Sequence, residues 1–236
     1  LVTACGGAEA RRARYLEKAQ QLMAEQDWTK AQLELRNALQ IDPNDVRSRV
    51  LLGDVSEKLG NPRQAAQLYQ GVLESDKENP GARAGLAKLY ALAGLPDKAL
   101  ELANAGLAKS PGDARLLVAR GAALAQKNDL AAATADVEKA IRNDPKNADA
   151  AALLASLYVR AGRTDEAIAV VRKGIVASPK SKALHIIIAQ VYETAGKRAE
   201  AVQAYRELIA LDPTDLGSYA QLAQFHLRGD DVDAAE

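Results

Sequence analysis

Chemistry in this chain would have to come from very few side chains. It has one cysteine, Cys5, and two histidines, His185 and His226. A nucleophilic thiol needs a base within hydrogen-bond reach, and Cys5 has no evident histidine partner. Zinc sites of the HExxH or paired-cysteine kind need ligands at fixed short spacings. The two histidines stand in different segments and read as partly buried structural residues. Phosphate-cradling loops need clustered glycines, whereas glycines here come one at a time. Trp28, the single tryptophan, opens an apolar-patterned segment and reads as packing. No catalytic group, cofactor or metal site is expected, so the class of function that remains is binding.

Composition narrows the partner. Lysine plus arginine equals aspartate plus glutamate at 31 each, so a basic footprint for nucleic acid is missing and no nucleic-acid partner is expected. No apolar run approaches the roughly 18 residues of a membrane span. The sequence Leu1-Val2-Thr3-Ala4-Cys5-Gly6 has an aliphatic residue, then small residues, just before the cysteine. This resembles a bacterial lipobox, which implies cleavage before Cys5 and a diacylglycerol on its sulfur, with residues before it belonging to a signal peptide. The competing reading is an N-terminal stretch that happens to hold a cysteine. Arg11, Arg12 and Arg14 follow closely and either touch anionic headgroups or form the solvated start of a helix.

The elements that position these residues follow from a period. Ala31, Ala65, Ala99, Ala133, Ala167, Ala201 and Ala235 stand at an unbroken 34-residue interval. Pro43, Pro111, Pro145, Pro179 and Pro213 keep step with it, Lys77 filling the one gap. Ala19, Gly53, Ala87, Gly121, Ala155, Ala189 and Ala223 mark a third phase. Small residues at such a period specify stacked helix pairs. The period divides the chain into an N-terminal segment 1–11, six units (12–45, 46–79, 80–113, 114–147, 148–181 and 182–215) and a partial seventh at 216–236. In the second unit, Val50, Leu51, Leu52, Val55 and Leu59 form one apolar face. Gly60-Asn61-Pro62 breaks the helix, and Ala65, Ala66, Leu68, Tyr69, Val72 and Leu73 form the next face. Asp42-Pro43-Asn44, Asp144-Pro145-Lys146 and Asp212-Pro213-Thr214 are turns between units.

With its period, its glycine or alanine marks, its tyrosines (Tyr69, Tyr90, Tyr158, Tyr192, Tyr205) and its terminal prolines, the chain resembles a tetratricopeptide repeat (TPR) array. The resemblance implies an all-α solenoid of antiparallel helix pairs in a right-handed superhelix, with a concave groove lined mainly by first helices. Arg120 and Lys18 depart from it by standing where the family usually buries leucine, and Arg49, Arg83 and His185 replace a frequent aromatic. On the expected groove, Leu16, Val50, Val118 and Ile186 form an apolar strip, and Gln20, Asp54, Lys88, Ser156 and Gln190 lie about one turn on. Arg47, Arg115, Glu57 and Glu193 add charge beside it. The lysines and asparagines of the chaperone-tail clamp are missing, so the expected ligand is an extended or helical segment of another protein. The competing reading is that the strip packs between first helices.

The Cys5-Gly6-Gly7 start, with Trp28-Thr29-Lys30-Ala31 and the run Leu35 to Asp45, is similar to TPR lipoproteins of PEP-CTERM/exosortase systems, the PrsT type. That likeness implies a non-enzymatic, periplasmic, lipid-anchored scaffold in envelope assembly or exopolysaccharide export. Gly6, in place of aspartate, implies transfer to the outer membrane. The array stops inside a second helix without a polar cap, so continuation beyond Glu236 or self-association through the last repeat is expected. Two rivals remain: the binding region of a larger transferase whose catalytic domain lies beyond residue 236, and a cytosolic adaptor.

Overall fold

The computed structural model describes residues 2–228, with side chains from Gly7 onward. The Cys5 side chain, Ala235 and the expected uncapped end at Glu236 lie outside the described residues. Among the described residues there are thirteen helices and no strand, the all-α architecture expected from the period. They are α1 (Val2–Ala24), α2 (Trp28–Ile41), α3 (Val46–Lys58), α4 (Pro62–Ser75), α5 (Pro80–Leu92), α6 (Pro96–Lys109) and α7 (Ala114–Gln126). There follow α8 (Leu130–Asn143), α9 (Ala148–Arg160), α10 (Thr164–Ala177), α11 (Lys182–Thr194), α12 (Arg198–Leu211) and α13 (Leu216–Arg228). Within each compact unit such short connections make consecutive helices antiparallel neighbours.

Two compact units are present, residues 1–127 and 128–236. In unit 1 each helix packs on the next, and the first helices α3, α5 and α7 also touch in sequence. Unit 2 repeats the scheme, with α9 on α11 as well as on α10. Within each unit the alanine phase of the second helices is fully buried. Ala31, Ala65, Ala99, Ala133, Ala167 and Ala201 are all 0% exposed. A side chain beyond methyl there would separate the axes.

Helix ends are set by short-range chemistry at the same period. The N-caps Asp45, Asn79, Asp113, Asn147 and Ser181 each accept the backbone N–H three residues on, satisfying a donor that the helix leaves unpaired. Ahead of them, Asp42, Asp76, Asp144 and Asp212 accept the N–H two residues on, which holds the turn. Within each pair the turn passes through a residue of positive φ: Gln26, Gly60, Gly94, Asn128, Gly162 or Gly196. At Gly60 the geometry closes through Gly60 N–H to Glu57 O and Asn61 N–H to Ser56 O, the Schellman pattern.

Basic residues reinforce two of these corners. The Arg12 guanidinium sits 3.2 Å from Asp42 and 2.6 Å from Asp45. Lys182, at the same repeat position, sits 2.9 Å from Asp212 and 3.1 Å from Asp215. Hydrogen bonds from Lys182, then Thr214, bring the Asp212 carboxyl down from 3.8 to about 2.

Two outcomes follow from the turns. Gln26 holds its turn at φ 63 with a β-carbon in place, so Gln26→Gly raises stability by about 0.5–1 kcal/mol, net of the added unfolded-state entropy. Urea unfolding checks this, and an unchanged or lower midpoint refutes it. The folded pKa of Asp212 is depressed, so its contribution is complete above about 3.8 and vanishes as pH falls through about 2. The Tm gap between wild type and Asp212→Asn should therefore close over that window; a gap of constant size refutes the assignment.

Candidate partner-binding surface

In unit 1 the first helices α3, α5 and α7 present their polar residues around one buried ring. Tyr69 of α4 is 0% exposed and is wedged between glycines. A β-carbon on Gly53 would stand 2.5 Å from Tyr69 Cε1, and one on Gly85 would stand 2.3 Å from Tyr69 Cζ. Neither position therefore tolerates alanine without moving the ring. Gly81 plays a related part against α3, since its β-carbon would lie 2.9 Å from Val50 Cγ1.

The phenol emerges among charges. Tyr69 Oη lies 2.7 Å from both Asp54 Oδ1 and Glu57 Oε1, so its one proton is shared between two carboxylates. Arg115 of α7 closes on Asp54 with Nη2–Oδ1 at 2.6 Å and Nη1–Oδ2 at 3.3 Å. Lys88 of α5 approaches Glu57 Oε2 at 3.1 Å. The hydroxyl is thus ringed by two anions matched by two cations. Burial, followed by the fields of Asp54 and Glu57, pushes the phenol far above its usual pKa, so Tyr69 is a fixed donor and not a base.

Beside this network a cleft of about 460 Å³ is lined by Asp45, Val46, Arg47, Val50, Leu51, Asp54, Asn79 and Arg115. Val46, Val50 and Leu51 are half-buried and form an aliphatic floor, while Arg47 is exposed at its edge. This is the kind of surface that takes a short stretch of another chain.

The expected groove residues divide. Val50 and Asp54 line the cleft, and Lys88 belongs to the adjoining Tyr69 network through Glu57. Val118 does not belong on an open surface: at 8% exposure it is buried in unit 1, where first helices pack. Leu16 is half-buried against the cluster of Ala19, Leu22, Ala31 and Leu35, and Gln20 is exposed. In unit 2, Ser156 and Gln190 are exposed and Ile186 is half-buried. That unit has its own smaller version of the tyrosine network. Tyr205, at the repeat position of Tyr69, donates to Glu193, which Arg228 engages at 2.9 Å.

The remaining candidates are structural. Arg83 is 8% exposed, and its guanidinium takes both Glu78 oxygens, at 2.9 and 3.2 Å. Arg120 is half-buried and donates to Asn104 Oδ1 at 3.2 Å. Lys18 is simply exposed. His185 is buried over the Ser181 carbonyl, and burial lowers its pKa. Among the described residues no three His, Cys, Asp or Glu side chains converge as metal ligands would.

Among known proteins, models of the tetratricopeptide repeat match residues 58–121, 124–191 and 182–225. Cellulose synthase operon protein C of Xanthomonas axonopodis pv. citri (strain 306) is 33% identical over 163 residues, covering 66% of this chain and 11% of that protein. An FK506-binding protein-like protein of Mus musculus is 32% identical over 120 residues, 48% of this chain and 35% of its own length. The chain thus spans a minor part of each of these relatives. A thermophilic TPR protein of Thermus thermophilus superposes with a TM-score of 0.70 at 22% identity, covering 77% of this chain and 99% of that one, a likeness of fold.

Removing only the Tyr69 hydroxyl isolates the network from the wedge. Tyr69→Phe keeps the ring between the glycines but leaves two carboxylates without their shared donor. It should cost about 1.5–3 kcal/mol in urea unfolding with helicity retained; a loss below about 0.5 kcal/mol would mean the cations alone satisfy them.

Proposed function

The chain belongs to the tetratricopeptide repeat family, and on that premise we propose that it is a lipid-anchored periplasmic scaffold that binds a protein component of an envelope or exopolysaccharide export system. Binding, not turnover, is the activity. The observation that carries this reading is the cleft of unit 1, whose aliphatic floor and flanking arginines stand open beside a fixed charge network. A stretch of partner chain laid there would bury Val46, Val50 and Leu51 and set its polar groups against Arg47 and Arg115.

The other parts of the proposal rest on different supports. Exopolysaccharide is favoured by the likeness to a cellulose synthase operon protein. The anchor is favoured by the run Leu1 to Gly6 around the only cysteine. The two acyl chains of a diacylglycerol would hold the protein to a bilayer stably, where one chain alone would not. Gly6 after Cys5 favours the outer membrane as the address.

The deciding experiment is the mass of the N-terminal peptide of the full-length protein, recovered from its native membranes. Diacylglycerol on Cys5, with residues 1–4 removed, is the expected result. An unmodified Leu1–Cys5 segment would eliminate the anchor and leave a TPR scaffold of other location.

A further inference from the structure

The charges lining the unit 1 cleft balance in number but not in engagement. Two carboxylates line it, and both are engaged. Asp45 accepts the Ser48 N–H at 2.8 Å and Arg12 at 2.6 Å. Asp54 accepts Arg115 at 2.6 Å and Tyr69 at 2.7 Å. Arg47 is different: it is exposed on the same cleft, and among the described residues it has no ion-pair partner. Arg115 keeps 43% of its side chain exposed while paired, so further guanidinium N–H groups remain accessible. The unengaged charge on the cleft is therefore positive, Arg47 over an aliphatic floor.

Complementarity then defines the occupant. It carries a carboxylate to meet Arg115 and Arg47, next to an aliphatic side chain to meet Val46, Val50 and Leu51. At about 460 Å³ the cleft lies toward the small end of ligand pockets, so it admits a short extended segment and excludes a folded domain. Resting on the reading of this face as a partner site, the geometry points to a cleft selective for an acidic, aliphatic segment of a protein partner, with Asp54 as a built-in competitor for Arg115. Asp54 occupies the arginine as an incoming carboxylate would. With 43% of the Arg115 side chain exposed, an incoming carboxylate can reach the same guanidinium.

The consequence runs against the usual effect of mutating a lining residue: taking the charge from Asp54 should improve binding. Asp54→Asn keeps an oxygen to accept the Tyr69 hydroxyl, and Glu57 still accepts it at 2.7 Å, so the wedge stays satisfied. The probe is a fluorescein-labelled, N-acetylated hexapeptide of alternating leucine and glutamate, with its glutamine analogue as control, followed by anisotropy on the whole chain. Wild type should prefer the acidic peptide and lose the preference at high salt. Asp54→Asn should bind it about two- to fivefold tighter, while Arg115→Gln and Arg47→Gln should each weaken it, with helicity checked by circular dichroism. No preference for the acidic peptide, or an Asp54→Asn variant that binds equally or less well, overturns the inference. Those results would leave the scaffold reading standing, which instead falls with an unmodified Cys5 and a chain that crosslinks to no envelope component.

Discussion

Helix axes can approach closely only where a methyl group or less separates them, and the rest of this chain is arranged around that restriction. Alanine fills the crossing in each second helix at 0% exposure. A composition with only 4% aromatic residues is the large-scale trace of the same rule. Cores so thin cannot rely on bulky side chains to define where a helix begins or ends. The turns do it instead, with a side-chain cap before α3, α5, α7, α9 and α11 and a left-handed residue within each pair. Packing and punctuation share one period, which is why local and tertiary preferences agree.

Charge is distributed on a different principle. Most ion pairs sit at corners or between neighbouring repeats and are partly exposed, which makes each a minor contributor. The exception surrounds Tyr69, where a buried hydroxyl gathers Asp54 and Glu57 and these gather Arg115 and Lys88. The same wedge that stabilises the repeat therefore presents a preformed charge pattern on the first-helix face. Structure and surface chemistry are joined at a single side chain.

Much of this was legible in the letters. A weak pattern repeated through the chain becomes a strong one, so the alanines, the prolines and the helix pairs follow from spacing alone. The N-caps Asp45, Asn79, Asp113, Asn147 and Ser181 came only from the structure, because a helix-breaking turn and a capping turn look alike until the acceptor geometry is known. Depth was harder. Helical phase puts Val118 and Val50 on one face, yet the first is buried and the second half-buried, because phase fixes direction and not how near the next helix lies. The pairing of Arg115 with Asp54 was invisible for a further reason: it joins residues 61 apart and passes over an intervening helix, a relation that no single-repeat comparison contains.

Gly85 has a wider meaning. Its counterparts in other repeats are Glu17, Leu51, Ala119, Leu153, Ile187 and Gln221, so the glycine belongs to this one junction. With the Tyr69 ring 2.3 Å from where its β-carbon would be, residues 46–79 and 80–113 are matched to each other. A repeat array looks like a row of interchangeable bricks, but here a shuffled order would drive the ring into a β-carbon or a larger side chain. The tyrosine and its two glycines are therefore sterically interlocked, and enlarging either glycine requires a matching change in the ring.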